Sequence, residues 1–188
     1  QHELTKYSNI TKLISGRTKM CVNNVELFYS KIFKYIHKCN SIELAEFTKL
    51  YENSYRAVNI GLANQMKQLC DKMNINIFDV IKAAETKPFG FKAFYPGPGV
   101  GGHCIPVDPL FLSYAAKKLN TNLDFILLAR KVNLDITNWV IKKIKKYLKA
   151  KDMILIMGVA YKKNVDDTRE SPAVSILEKL SKTYNVNY

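Results

Sequence analysis

The sequence predicts a mainly α protein: a helical central domain built on a long central helix, followed by the first strand–helix unit of a truncated α/β domain. Three observations carry this. Residues 41–73, SIELAEFTKLYENSYRAVNIGLANQMKQLCDKM, run in helical periodicity without a proline. Residues 86–109 gather most of the chain's glycine and proline, a density that no regular element survives. From Met153 the texture changes to MILIMGV, the short continuous apolar run of a buried parallel strand.

In chain order, Lys12-Leu13-Ile14-Ser15-Gly16 reads as a short strand closed by glycine. Val25, Phe28, Ile32 and Ile36 then mark one face of a helix over 17–36. Ser41 is the N-cap of the long helix. At 1.5 Å per residue that helix spans about 45–50 Å, more than most globular helices. Such an element crosses a domain or forms a subunit interface, so a homodimer packed through it is expected. Asn76 caps a short helix through Ala84. TKPFGFKAFYPGPGVGGHCIPVDP, over 86–109, is a long ordered loop, and such loops usually carry function. Asp108 and Pro109 read as N-cap and first residue of a helix over LFLSYAAKKL, and a further helix covers 124–150. After the strand at Met153, ended by Gly158, comes the polar loop YKKNVDDTRE, and Ser171-Pro172 caps the helix AVSILEKLSK. Strand, loop and helix make half a βαβ unit, the opening of a Rossmann-like domain. Its parallel strand has no partner in sight, and an uncovered apolar edge would be an aggregation risk.

Composition narrows the function classes. Twenty-nine basic and 16 acidic residues leave 188 residues at +13, with 47% hydrophobic and 24% charged, an ordinary globular balance. No apolar run approaches the roughly 18 residues of a membrane span, and the polar start QHELTKYSNITK is no signal peptide, so a cytoplasmic protein without membrane contact is expected. Cys21, Cys39, Cys70 and Cys104 form no CxxC and fit a reducing compartment, where Asn9-Ile10-Thr11 would not be glycosylated. His2, His37 and His103 never fall at ligand spacing, so no metal is expected. Positive charge is densest in IKKIKKYLKAK, where Val140, Ile141, Ile144, Tyr147 and Leu148 recur at helical spacing. A solvated lysine face outweighs a nucleic-acid surface there.

Gly97, Gly99 and Gly102 satisfy GxGxxG but follow a proline-broken loop rather than a strand, so they are not the dinucleotide fingerprint. Glycines beside a cysteine instead let the backbone come close to a ligand. Cys104 lies in that loop, four residues before Asp108 and beside a helix N-terminus whose positive end favours a thiolate. A nucleophilic thiol also needs a group for the oxyanion and a group for protons. Lys49 and Asn53 offer themselves at i and i+4 on the long helix. On residues alone, an exposed lysine beside a capping amide reads as well.

GPGVGGHCIPVDP resembles the active-site cysteine loop of the UDP-glucose/GDP-mannose dehydrogenase family. AEFTKLYENSYRAVNIGLANQM resembles that family's long central helix, and GVAYKKNVDDTRESPA the start of its C-terminal UDP-binding domain. PGPGVGGHC and TKPFGF are most similar to the branch that oxidises UDP-N-acetylhexosamines, UDP-N-acetylglucosamine among them. The resemblance implies three parts: 1–36, the tail of an N-terminal NAD-binding domain; 37–150, the helical central dimerisation domain; and 151–188, the start of the UDP-binding domain. It also implies NAD-dependent oxidation of a UDP-sugar 6-hydroxyl to the carboxylate, through a thiohemiacetal and a thioester on Cys104. Lys49 and Asn53 would hold the oxyanion and Asp108 would assist proton transfer. Gly97, Gly99, Gly101, Gly102, Lys162 and Lys163 would meet the nucleotide-sugar, and Arg169 would reach the cofactor. Most of the NAD-binding domain is missing from the pattern, so a separate chain is expected to supply it. The alternatives are a UDP-glucose or GDP-mannose dehydrogenase, or an inactive truncated dimerisation or binding module.

Overall fold

The computed structural model describes residues 7–149 and 151–188. His2, the first residues of the expected N-terminal part, and Ala150, the expected end of a helix, lie outside the described residues. The chain divides between Glu52 and Asn53 into two compact units.

The first unit opens with strand β1 (Lys12–Ile14), helix α1 (Lys19–Tyr29) and strand β2 (Ile36–Lys38). β1 and β2 pair in parallel, Lys12 opposite Ile36 and Ile14 opposite Lys38. The expected helix over 17–36 is therefore too long. Thr18 caps α1 by accepting from the Cys21 N–H at 3.2 Å, and the helix stops at Tyr29. Ile36 belongs to the second strand, which at three residues is too short for its periodicity to be read. Ile14 and Cys39 are buried in this unit.

Helix α2 (Ile42–Lys72) runs 31 residues through the boundary between the units. Ser41 caps it, its Oγ accepting from the Leu44 N–H at 3.1 Å. Helix α3 (Ile77–Ala84) follows, capped by Asn76, whose Oδ1 accepts from the Phe78 N–H at 3.1 Å. Cys70, Ile77 and Ile81 form one small apolar core with Ala93 against it.

The irregular stretch ends earlier than the sequence predicts. Helix α4 (Cys104–Lys118) begins at the cysteine, not at Pro109. Pro106 is harmless in the first turn, where its missing N–H would have no intrahelical partner. Pro109 lies inside the helix and is fully buried, so the Asp108-Pro109 cap is corrected to an internal position.

Helix α5 (Asp124–Tyr147), strand β3 (Met153–Leu155), helix α6 (Pro172–Leu180) and strand β4 (Asn185–Asn187) complete the second unit. Ile141, Ile176 and Leu180 form its second core, with Val140, Ile144, Ile154, Ile156, Tyr184 and Val186 packed around them. Tyr147 does not join the expected apolar face and is exposed. Lys142, Lys145 and Lys146 are exposed, whereas Lys143 pairs with Asp71 on α2 and lies 5.1 Å from the Trp139 ring. β3 does find a partner: it pairs in parallel with β4, Met153 opposite Asn185. NVN is too short and polar to announce a strand. The strand is also not buried on both faces. Ile154 meets the core while Met153 and Leu155 stay exposed, because helices cover only one side of a two-stranded sheet. Ser171 stands at the N-cap of α6, but its buried Oγ makes no bond among the described residues. No helix among the described residues is long and apolar enough to cross a membrane.

Candidate functional site

The site is assembled on the start of α4. Cys104 is the first helical residue and its thiol is exposed. The first turn of any helix leaves main-chain N–H groups without intrahelical acceptors, so partial positive charge gathers beside this sulfur. His103 holds the cap position with helical dihedrals, and its side chain makes no cap bond. Asp108 comes one turn later, on the face of α4 that carries Cys104.

Asp108 is met by Asn53 from α2. The Asn53 Nδ2 donates to Asp108 Oδ2, joining residues 55 apart in sequence. Asn53 is 1% exposed, so it is no capping amide. Its Oδ1 accepts from Arg56 Nη2 one turn along α2. The result is a one-way series of donors, Arg56 to Asn53 to Asp108. Lys49 lies on the α2 segment of the first unit, its side chain 62% exposed and 4.0 Å from Glu52.

Side chains outside the glycine loop hold it in place. Asn64, fully buried on α2, accepts at Oδ1 from the Gly97 N–H at 3.0 Å. Its Nδ2 donates to Asn133 Oδ1 at 2.9 Å, and Asn133 Nδ2 donates to the Ala57 carbonyl at 2.8 Å. Thr137 Oγ1 donates to the Pro98 carbonyl at 2.7 Å. At the far end the Gly102 N–H donates to the Arg169 carbonyl at 3.1 Å. A Cβ at Gly99 would fall 2.7 Å from Thr137 Oγ1, and one at Gly101 would fall 2.6 Å from the Tyr161 Cβ. A Cβ at Gly102 would meet the Tyr161 ring at 2.8 Å, whereas Gly97 has nothing closer than 3.8 Å. At three of the four glycines, then, the close approach is to the protein's own side chains.

Beyond β3, Lys162 and Lys163 are exposed on an open groove of about 540 Å³ lined also by Met157, Gly158 and Asn164. Arg169 forks onto Asp167, with Nη2 2.8 Å from Oδ2 and Nε 3.1 Å from Oδ1. Those side-chain bonds, helped by the Arg169 main-chain N–H, hold the Asp167 carboxyl down at about 2. The arginine's own pKa is raised, chiefly by the Asp167 hydrogen bond and least by Cys104. As a test of fit for a dinucleotide, Arg169 offers an exposed, permanent cation suited to an anionic group. The glycine loop is preceded by no strand, so the chain offers no phosphate-cradling turn at that point. No group of three or more metal-ligating side chains occurs among the described residues.

The structure thus bonds Asn53 to Asp108, one helical turn along α4 from Cys104, and ties Arg169 to the glycine loop through its carbonyl. Sequence reading missed Arg56, Asn64, Asn133 and Thr137. The available signal was polar: Asn53, Ala57 and Asn64 share the buried face of α2, and amides inside an apolar stripe need partners.

Two family models match the chain: the UDP-glucose/GDP-mannose dehydrogenase family, central domain, over 43–135, and the same family's UDP binding domain over 155–188. The UDP-N-acetyl-D-mannosamine dehydrogenase of Campylobacter jejuni is 41% identical over 175 residues, covering 90% of this chain and 41% of its own length. The chain therefore spans about two fifths of that curated relative. Among solved structures, the UDP-D-ManNAc dehydrogenase from Pyrococcus horikoshii matches at TM-score 0.82 and 31% identity, covering 97% of this chain and 44% of that one. The UDP-N-acetyl-mannosamine dehydrogenase from Staphylococcus aureus matches at TM-score 0.78 and 34% identity, covering 97% and 42%.

Proposed function

The chain belongs to the UDP-glucose/GDP-mannose dehydrogenase family, and on that premise we propose that it carries the cysteine half-site for oxidising the 6-hydroxyl of a UDP-N-acetylhexosamine to a carboxylate. The observation that carries the reading is the Asn53–Asp108 hydrogen bond, which ties Asn53 to the carboxylate one helical turn along α4 from Cys104. The names of the relatives favour N-acetylmannosamine over the N-acetylglucosamine expected from the sequence.

NAD, when bound, would accept the hydride of each oxidation, and Arg169 is the residue of this chain that would hold an anionic part of it. Cys104 Sγ adds to the carbon of the intermediate aldehyde, giving a tetrahedral thiohemiacetal. Loss of hydride and of the hydroxyl proton then leaves a thioester. Asp108 takes a proton from the hydrolytic water as the water adds to the thioester carbon. The C–S bond breaks, the sulfur recovers a proton and the carboxylate leaves. Asn53 and Lys49 carry the oxyanion, a buried amide donor and a lysine cation that lower its energy. Lys162 and Lys163 hold the nucleotide-sugar together with the main chain of the loop Gly97, Gly99, Gly101 and Gly102, of which the Gly102 N–H is already bonded to the Arg169 carbonyl. A homodimer through α2 completes the proposal.

The test is NADH formation by this chain supplied with an NAD-binding domain, with UDP-N-acetylmannosamine and UDP-N-acetylglucosamine compared. NADH and uronic acid at a 2:1 ratio, lost in Cys104→Ala, is the expected result. Silence with both sugars, from folded protein that binds NAD, would overturn the reading.

A further inference from the structure

Asn53 is a planar amide with unlike ends, and what it can do depends on which end faces which neighbour. Its buried side chain lies between Arg56 and Asp108. Guanidinium has five donors and no acceptor, and an ionised carboxylate only accepts. One orientation alone satisfies both, with Oδ1 toward Arg56 and Nδ2 toward Asp108. The flipped amide would set N–H against N–H and oxygen against oxygen, two repulsive contacts on a side chain that is itself buried from water. Asn53 and Arg56 are three residues apart on one face of α2, so the helix itself sets their spacing.

We infer that Arg56 is a positioning residue: by occupying Asn53 Oδ1 it locks the Asn53 amide so that Nδ2 holds Asp108 with one proton and turns the other toward the reacting oxygen. Arg56 need not touch the substrate. It acts through Asn53, and its cationic donor polarises the amide N–H groups beyond it. The inference rests on the proposed dehydrogenase reading and adds to it the residue that decides the polarity of the site.

A double-mutant cycle tests it, in the chain supplied with its NAD-binding domain. Arg56→Met is expected to lower kcat by about 10- to 100-fold, the scale of one charge-assisted hydrogen bond, with KM for the sugar little changed. Arg56→Lys, which keeps a cationic donor, recovers most of that loss. In an Asn53→Ala background Arg56→Met lowers kcat little further, since the amide it orients is gone. Equal losses in both backgrounds, or unchanged kcat in Arg56→Met alone, would overturn the inference while leaving the dehydrogenase reading intact. If Arg56→Met fails to fold, Arg56→Gln enters the same cycle.

A second readout needs no turnover. The side-chain amide proton pair of Asn53, assigned in 15N-labelled protein by its disappearance in Asn53→Ala, is expected to move in Arg56→Met and stay in place in Arg56→Lys. An unmoved pair in Arg56→Met would overturn the inference even if the protein never made NADH.

Discussion

The long helix α2 and the glycine loop after α3 both supply the second unit's site, yet they are held in opposite ways. Asn53, Arg56 and Asn64 take their places from one continuous ladder of helical hydrogen bonds. The loop has no ladder, and its shape depends on bonds from elsewhere: Asn64 to Gly97, Thr137 to Pro98, and the Arg169 carbonyl to Gly102. The lesson is that the helix tolerates change on its wet face, while the loop is sensitive at a few anchors far away in sequence.

The largest expected effect removes what both regions serve. Cys104→Ala should lower uronic acid formation by about a thousandfold or more without changing the fold, since the exposed thiol supports no packing. Product analysis and a thermal melt check this together, and residual turnover near the unsubstituted rate would remove the thiol from the mechanism.

Next comes a pair of alanines in the loop. Gly99 has φ +147° and a Cβ there would sit 2.7 Å from Thr137 Oγ1 and 3.0 Å from the Pro172 ring. Gly99→Ala should destabilise by about 2–4 kcal/mol in urea unfolding, combining strain with overpacking. Gly97→Ala, with open space around it, should lie within about 1 kcal/mol of the parent. Equal effects at the two positions would mean that packing does not govern this loop.

Asn64→Ala sharpens the contrast from the helix side. It leaves the Gly97 N–H and Asn133 Oδ1 without their partner and should destabilise by about 1–3 kcal/mol, with α2 intact by far-UV circular dichroism. Loss of helical signal would show that the amide supports the helix rather than the loop.

The smallest effect is a titration. The Asp167 carboxyl, held at about 2 in the fold, contributes stability that is present above its ordinary value near 4 and lost as pH falls toward 2. NMR should place its midpoint near 2 and return it toward 4 in Arg169→Gln. An unshifted midpoint in that variant would assign the depression to something other than the fork.

Legibility from sequence followed the range of the forces involved. Ser41 and Asn76 were readable as caps because a cap is a bond within three residues. The helix over 17–36 was overextended because Ile32 and Ile36 keep helical spacing by chance, while parallel pairing with Lys12–Ile14 decides the outcome. β4 was invisible for the same reason. The start of α4 was misplaced because Asp108-Pro109 reads as a cap and first helical residue, although a helix also accepts Pro106 in its first turn. Cys104, Asn53 and Asp108 are legible in the sequence as residue types at meaningful spacing. Nothing local announced the Asn53–Asp108 contact, or that Arg56 would complete it.

The bond between the Gly102 N–H and the Arg169 carbonyl joins main chain to main chain. Side-chain replacement at residue 169 deletes neither of its atoms. The loop after β3 can therefore drift through many residue types, altering charge and selectivity at its surface, while its mechanical tie to the thiol-bearing helix is inherited unchanged. A proline at 102 would cut that tie directly, and any side chain there would meet the Tyr161 ring at 2.8 Å, which makes the joint robust to replacement at 169 and fragile at 102.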